Sequence, residues 1–315
     1  MKILITGSSG MLGTELCEVL ESDHAVAGVD ITSPQSTVHP VPEQVRYRTS
    51  GPRRFYEADI TDAERIREVF DQEKPGMVIH AAAWTDVDGC EEDPEKAYTL
   101  NTTGTENVAR AAAANAVPLI FLSTDFVFDG EKNQPYTEKD RTAPISVYGR
   151  TKEEAEKVVE RSLEKYAIVR TSWLFGKNGR NFVDTIVNRG RSGNRIRVVN
   201  DQTGAPTYAK DLARAIKKLV DPAAILSGDI YHISNAGWCS WYDLSVRVLE
   251  RVEGLAGTAV EPITSDEFKR PAKRPRFSVL DNSKFIRTTG FCMRPWEEAV
   301  DEYLSVRYGR VIGDQ

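Results

Sequence analysis

Cysteine is scarce: four residues, Cys17, Cys90, Cys239 and Cys292, none spaced as metal ligands or as a disulfide framework. Histidine is equally sparse, with His24, His39, His80 and His232 dispersed along the chain. These shortages argue against a structural zinc, a disulfide scaffold and a Cys/His nucleophilic pair, and point to a reducing, cytoplasmic setting. No apolar run approaches the roughly 18 residues that a membrane span requires. The opening MKILITG passes from one lysine straight into strand-like sequence, without a signal-peptide layout. Nor is there an excess of positive charge. The balance of 41 basic and 47 acidic residues gives −6, which argues against nucleic acid or a membrane surface as partner. Internal repeats, low-complexity tracts and Pro/Gly linkers are absent as well.

What is present is an alternation of strand and helix signals. Apolar runs at Lys2–Thr6, Ala25–Asp30, 55–58, 77–81, 118–122 and 167–170 read as strands. Between them lie helices through Leu20, from Thr61 or Asp62 to about Phe70, over roughly 94–115, and over roughly 147–165. This βαβ order predicts an α/β fold, a Rossmann-like doubly wound parallel sheet with helices on both faces. Residues 31–54 carry four prolines and no apolar period, so a long exposed loop is expected there. After Arg170 the pattern loosens. A strand at 195–200, a helix at 210–220 and a strand at 231–233 suggest a smaller α+β lobe against the sheet edge. The expected division is a dinucleotide-binding part, 1–170, and a mainly substrate-binding part, 171–315, with some segments returning to the core.

The stretch PLIFLSTDFVFDG, 118–130, raises a question: a buried strand should not end in three adjacent hydrogen-bonding side chains, Ser123, Thr124 and Asp125. A hairpin tip would want Gly or Asn there, and Gly130 comes too late. The other explanation is that the strand's carboxyl end opens onto a site, where open α/β sheets bind ligands.

ITGSSGMLG places Gly7, Gly10 and Gly13 between the first strand and the first helix. Glycines there allow a tight turn and close approach of a pyrophosphate to backbone N–H groups at the positive helix end. A glycine-rich turn that binds nothing is the bland alternative, and its place after the first strand disfavours that. Asp30 ends the second strand, where an acidic group would meet a ribose hydroxyl and favour NAD over NADP. Arg46, Arg48, Arg53 and Arg54 follow and could neutralise a 2′-phosphate, so cofactor preference stays open.

Tyr148 and Lys152 stand four residues apart and share one helix face. A phenol needs a stabilised phenolate to cycle as a general acid/base at neutral pH, and an adjacent ammonium would lower its pKa. A snorkelling lysine on an ordinary amphipathic helix is the alternative.

With the glycine triplet, Tyr148-x-x-x-Lys152 resembles the extended short-chain dehydrogenase/reductase superfamily, in which Thr124 would be the third catalytic member. STDFVFDG, APISVYGRTK, RTSWLFG, NDQTGAPTYAKDLA and RPAKRPRFSVLDNSKF are together similar to the dTDP-4-dehydrorhamnose reductase family, essentially end to end. The resemblance implies reduction by NADPH or NADH of the 4-keto group of a dTDP-bound 6-deoxyhexose. It puts Gly7, Ser9, Gly10, Met11, Leu12, Gly13, Asp30, Asp59, Ile60, Ala81, Ala82, Ala83, Tyr148 and Lys152 against the cofactor. Thr85, Thr124, Asp125, Trp173, Asn181, Gln202 and Arg274 would meet the nucleotide-sugar. Read on their own, Trp173 offers a flat face to a sugar or a core, and Arg274 could pair with a diphosphate or belong to a solvated charge run. Two residues depart from the family pattern: Phe126 for tyrosine, and His80 for a common asparagine. Metal-bridged dimers occur in part of the family. A homodimer is compatible with this chain, but no unambiguous acidic ligand set is visible. The rival readings are a nucleotide-sugar dehydratase or epimerase, and a regulatory subunit like that of methionine adenosyltransferase. The dehydratases follow the threonine with Asp-Glu, whereas here Asp125 precedes Phe126.

Overall fold

The computed structural model describes residues 1–32, 54–221 and 226–309. Six strands appear in the expected order: β1 (Lys2–Thr6), β2 (Ala25–Asp30), β3 (Arg54–Glu57), β4 (Met77–His80), β5 (Leu119–Thr124) and β6 (Tyr166–Thr171). The strand Asp229–His232 joins them, and all seven are parallel, in the order Asp229–His232, β6, β5, β4, β1, β2, β3. β4 and β5 are buried along their whole length, as parallel strands covered on both faces should be.

The strand period of two divides the core. Ile3 and Ile5 of β1 face one helical layer, with Leu16 and Leu20 of α1 (Met11–Leu20) and Ile216 and Leu219 of the helix Ala209–Val220. Leu4 faces the other layer, with Ile66 and Phe70 of α2 (Ala63–Glu73) and Val108. Asp62 begins α2 by accepting the Arg65 N–H at 2.9 Å, the capping role its side chain is suited to.

After β4 come α3 (Val87–Glu92), α4 (Pro94–Tyr98) and α5 (Gly104–Ala114). The single helix expected over 94–115 is thus a composite, with a π-helical turn at Thr99–Thr103 joining α4 to α5. α6 (Val147–Ser162) follows, three residues shorter at its end than the charge pattern suggested. β5 runs two residues past Leu122, because Ser123 and Thr124 continue the pairing with Arg170 and Thr171 of β6.

The second half departs further from expectation. Asp229–His232 is the seventh strand of the main sheet rather than part of a separate lobe, and Ala209–Val220 packs on α1. A third apolar cluster forms the lobe itself, around Val183, Ile186, Tyr208, Leu244, Val248 and Tyr303. Its helices Phe182–Arg191, Trp241–Arg251 and Trp296–Tyr308 were not anticipated. The strand expected at 195–200 is Ile196–Val199, paired in parallel with Val260–Ile263. Most of the loop expected at 31–54, with Arg46, Arg48 and Arg53, lies outside the described residues. Among the described residues no helix is long and apolar enough to cross a membrane, and no cluster of three or more His, Cys, Asp or Glu forms a metal-binding group.

Candidate active site

Strand order reverses between β1 and β4, and the glycine turn sits on that crevice. Gly7 takes φ = 70°, a left-handed conformation natural to glycine. A Cβ there would lie 2.7 Å from the Ala82 nitrogen, and one on Gly13 would lie 2.0 Å from the Gly7 oxygen. The backbones of the turn, α1 and the Ala81–Ala83 run are therefore in contact, with no side chain between them. Gly10 is the N-cap of α1 and offers no side chain to the helix's first N–H groups, so they stay available to an anion. Gly13→Ala is expected to destabilise the fold by about 2 kcal/mol or more and to abolish the rise in melting temperature that NADPH confers on the parent, read by thermal shift.

Asp30 is held at the rim of this turn. Its carboxylate accepts the Ser9 N–H at 2.9 Å and the Ile31 N–H at 2.8 Å. Met11 lies against Gly176 and Gly179, whereas the Leu12 side chain points into the core. Asp59 accepts both the N–H and the hydroxyl of Thr61 at 2.8 Å, and Ile60 packs on Gly104. The side chains of Asp59 and Ile60 thus build the turn into α2. Arg54, expected near a 2′-phosphate, is paired instead with Glu73 at 3.4 Å.

The ends of β5 and α6 bring three residues together. Ser146 caps α6, its hydroxyl accepting the Gly149 N–H at 3.2 Å, and the Val147 N–H donates to Glu91 at 2.9 Å. This seats Tyr148 in the first turn, facing the Thr124 hydroxyl. One turn later the Lys152 ammonium stands 4.1 Å above the Phe121 ring. Lys152 is 2% exposed.

Burial dominates the electrostatics. It pushes the Tyr148 phenol up, with the Thr124 hydrogen bond opposing and the Asp125 charge adding. It pulls Lys152 down to about 7 against the attraction of Glu156. Burial is the largest influence on Tyr148, and it keeps the phenol protonated. Asp125 is raised to about 7 by burial, which the hydroxyls of Ser278 and Thr124 oppose. Its Oδ2 is buried without a hydrogen-bond partner.

The three polar residues that end β5 have separate duties. Ser123 donates to Glu156 at 2.5 Å, away from the crevice. Arg170 grips the same carboxylate at 2.9 and 2.6 Å, an ion pair 3–4% exposed. Thr124 and Asp125 are left to the site, Thr124 donating to Asp125 Oδ1 at 3.0 Å.

A cavity of about 1110 Å³ is lined by Trp241, Gln202, Arg189, Arg274 and Arg276; it reaches Ile145, two residues before α6, but Thr124, Tyr148 and Lys152 do not line it. Gln202 is tied to Ser265 at 2.9 Å. Arg274 is bound to both oxygens of Asp88 in α3, at 3.0 and 2.9 Å, and Arg270 shares that carboxylate. Asp88 therefore clasps the basic 270–276 segment to the dinucleotide side. Thr85 is exposed on the loop before α3.

Two of the expected contacts have partners within the protein. Trp173 stacks face to face on Trp241, with centroids 3.5 Å apart, and its other neighbour is Gly204, where a Cβ would lie 2.3 Å from the indole. Trp241 is the ring that lines the cavity. Asn181 caps the helix Phe182–Arg191 by accepting the Asp184 N–H at 2.8 Å, and its amide reaches Gly176, Asp184 and Tyr303. Sequence reasoning missed Asp88, Arg189, Trp241 and Ser265. Ser240 followed by Asp243, a capping box in this structure, was the readable sign of the helix that carries Trp241.

A seven-stranded parallel sheet, a glycine turn on its switch point and a buried Tyr–Lys pair beside Thr124 define an oxidoreductase of the extended short-chain dehydrogenase/reductase kind. A family model described as the RmlD substrate binding domain matches residues 1–308. The dTDP-4-dehydrorhamnose reductase of Streptomyces griseus is 36% identical over 312 residues, covering 98% of this chain and 94% of that protein. The crystal structure of a dTDP-4-dehydrorhamnose reductase from Clostridium acetobutylicum superimposes with a TM-score of 0.84 at 39% identity, covering 97% of this chain and 99% of that one. That of the Bacillus anthracis dTDP-4-dehydrorhamnose reductase in complex with NADP gives 0.83 at 34% identity, covering 96% and 98%. The chain belongs to the dTDP-4-dehydrorhamnose reductase family of NAD(P)H-dependent oxidoreductases.

Proposed function

We propose that this protein reduces the 4-keto group of dTDP-4-dehydro-6-deoxy-L-mannose to give dTDP-L-rhamnose. The observation that carries this reading is the burial of Thr124, Tyr148 and Lys152 where β5 ends and α6 begins. Residues 1–170 would mainly hold the dinucleotide and 171–315 mainly the nucleotide-sugar. No disulfide joins the four cysteines to one another.

The residues fit a pyridine dinucleotide. Gly10 leaves the first N–H groups of α1 without a side-chain cap, open to a diphosphate, and Ser8 Oγ is buried in the same turn without a partner. Bound NADPH or NADH would supply the hydride. Thr124 would hold the keto oxygen by a hydrogen bond that strengthens as negative charge builds there. Tyr148, kept protonated by burial, would donate its proton to that oxygen. Lys152 would then stabilise the phenolate left behind. Arg189, Arg274 and Arg276 would answer the diphosphate, and Trp241 would offer its face to the sugar or base.

Phe126 counts against a dehydratase. Its ring stands edge-on to Tyr148 at 5.7 Å, so an apolar group fills the position from which an elimination would draw its base.

The test follows NADPH and NADH oxidation spectroscopically with dTDP-4-dehydro-6-deoxy-L-mannose, and identifies the product. Turnover to dTDP-L-rhamnose is expected, and the two rates fix the cofactor preference. A protein that binds the dinucleotide but leaves this sugar unreduced would sink the proposal in favour of another keto-sugar or a regulatory role.

A further inference from the structure

Five polar residues, Thr6, His80, Thr105, Asn101 and Thr151, are each no more than 1% exposed, and their hydrogen bonds form one line that passes through the backbone of Asn101. It starts at the end of β1, beside the glycine turn, and finishes in the catalytic helix. His80 Nδ1 meets Thr6 Oγ1 at 2.6 Å, and its Nε2 meets Thr105 Oγ1 at 3.0 Å. Thr105 donates to the Asn101 carbonyl at 2.6 Å, inside the π-helical turn. The Asn101 amide donates to Thr151 Oγ1 at 3.1 Å, and Thr151 in turn donates to the Tyr148 carbonyl at 2.8 Å.

The polarity of this line follows from counting protons. Thr105 has a single hydroxyl hydrogen, and a carbonyl only accepts, so that hydrogen lies toward Asn101. His80 Nε2 must then be the donor to Thr105. Burial first, and the charge of Lys152 second, pull the imidazole pKa down to about 3. The ring is therefore neutral, Nδ1 carries no hydrogen, and Thr6 donates to it. The Ala82 N–H points at Thr6 Oγ1 from 3.4 Å, completing the line from the Ala81–Ala83 run to α6.

His80 approaches Lys152 by a second route. Its ring stacks on Phe121, centroids 5.6 Å apart and 25° from parallel, and Phe121 is the ring beneath the Lys152 ammonium. Asn101 also holds both backbone groups of Trp84, accepting its N–H at 2.7 Å and donating to its carbonyl at 3.1 Å. Thr102, also in the π-turn, donates to the Thr151 carbonyl at 3.0 Å. The peptide between Tyr148 and Lys152 is thereby fixed from the same turn that fixes the wall of the crevice.

We propose that His80 is a positioning residue: by bridging Thr6 to Thr105 and supporting Phe121, it sets where Lys152 and Tyr148 stand relative to the dinucleotide crevice. The requirement is an acceptor turned to Thr6 and a donor turned to Thr105 on one flat side chain, which neutral histidine supplies through its two ring nitrogens. This inference rests on the reductase reading of the same site.

Kinetics of two variants and a crystal structure test it. His80→Leu is expected to lower kcat at least ~10-fold with KM for the nucleotide-sugar within about threefold, since the sugar cavity lies away from the line. His80→Asn keeps an acceptor and a donor and should return kcat to within about threefold of the parent. In the crystal structure of His80→Leu, the Lys152 ammonium should leave its place above Phe121. Thr105→Val, which cuts only one arm, stands in if the leucine variant does not fold, and should lower kcat by about threefold or more. A folded leucine or valine variant with unchanged kcat, an asparagine variant as slow as leucine, or an unmoved ammonium would each overturn the proposal. Absence of turnover in the parent would strike the reductase reading instead, with the position of Lys152 still deciding this one.

Discussion

Tyr148→Phe should cut kcat at least ~100-fold, the usual scale for losing a positioned general acid, while the protein stays folded. The two effects separate because the ring and the hydroxyl do different work. The ring packs with Cys90, Ala97 and Val147, flanked by Trp84, Val87 and Phe126, and phenylalanine fills the same volume. The hydroxyl faces Thr124, and a single buried hydrogen bond there would be worth about 1 kcal/mol of stability. Steady-state oxidation of NADPH at saturating nucleotide-sugar measures the first effect and urea unfolding the second. A kcat within tenfold of the parent would remove Tyr148 from the proton-transfer step.

Lys152→Met should abolish turnover and yet make the protein more stable. The ammonium is buried, and its attraction to Glu156 does not repay its lost hydration, which is why its pKa falls from 10.5 to about 7. Between those two values the unfolded chain binds more protons than the folded one, so the native protein gains stability as pH rises through that window. Below pH 7 the full penalty is present. The methionine variant should therefore exceed the parent at pH 6 by about 1 kcal/mol or more, since each unit of the shift is worth about 1.4 kcal/mol and Glu156 keeps its pairing with Arg170. Its advantage should shrink by pH 9. Denaturant melts at the two pH values read this directly. A variant less stable than the parent, or one whose advantage grows with pH, would show that Lys152 is comfortably paired. The expected outcome marks Lys152 as a group kept for chemistry at a cost to the fold.

The parts of this site legible in the sequence are those whose geometry is local. Gly7, Gly10 and Gly13 announce themselves because a turn between a strand and a helix is decided within nine residues. Tyr148 and Lys152 share a face because four residues make about one helical turn. Thr124 was visible because a hydroxyl at the end of an apolar run contradicts its surroundings. What stayed hidden depends on assembly. Asp88 matters through Arg270 and Arg274, nearly two hundred residues away, and its own neighbourhood gives no hint of them. Trp173 and Trp241 are chemically equal candidates for the cavity wall, and only their stacking decides which of them faces it. Ser123 and Asp125 flank Thr124, yet strand alternation alone could not show that Ser123 would be claimed by Glu156. Asn181 was named by the family resemblance alone, and its place before Phe182–Arg191 also makes it that helix's cap. The seventh strand was misassigned because four residues of ordinary strand sequence carry no mark of the partner they will pair with.

That seventh strand bears on how the protein comes off the ribosome. β6 acquires its outer neighbour only when residues 229–232 arrive, and α1 meets much of its packing only with residues 209–220. A nascent chain stalled after residue 170 would hold every dinucleotide-binding segment and still present an open, hydrogen-bond-hungry edge above a half-covered layer. Synthesis must run roughly eighty residues beyond the last catalytic side chain, Lys152, and then clear the exit tunnel, before the sheet can close. The binding cradle is written first and secured late, a window in which a chaperone has something definite to hold.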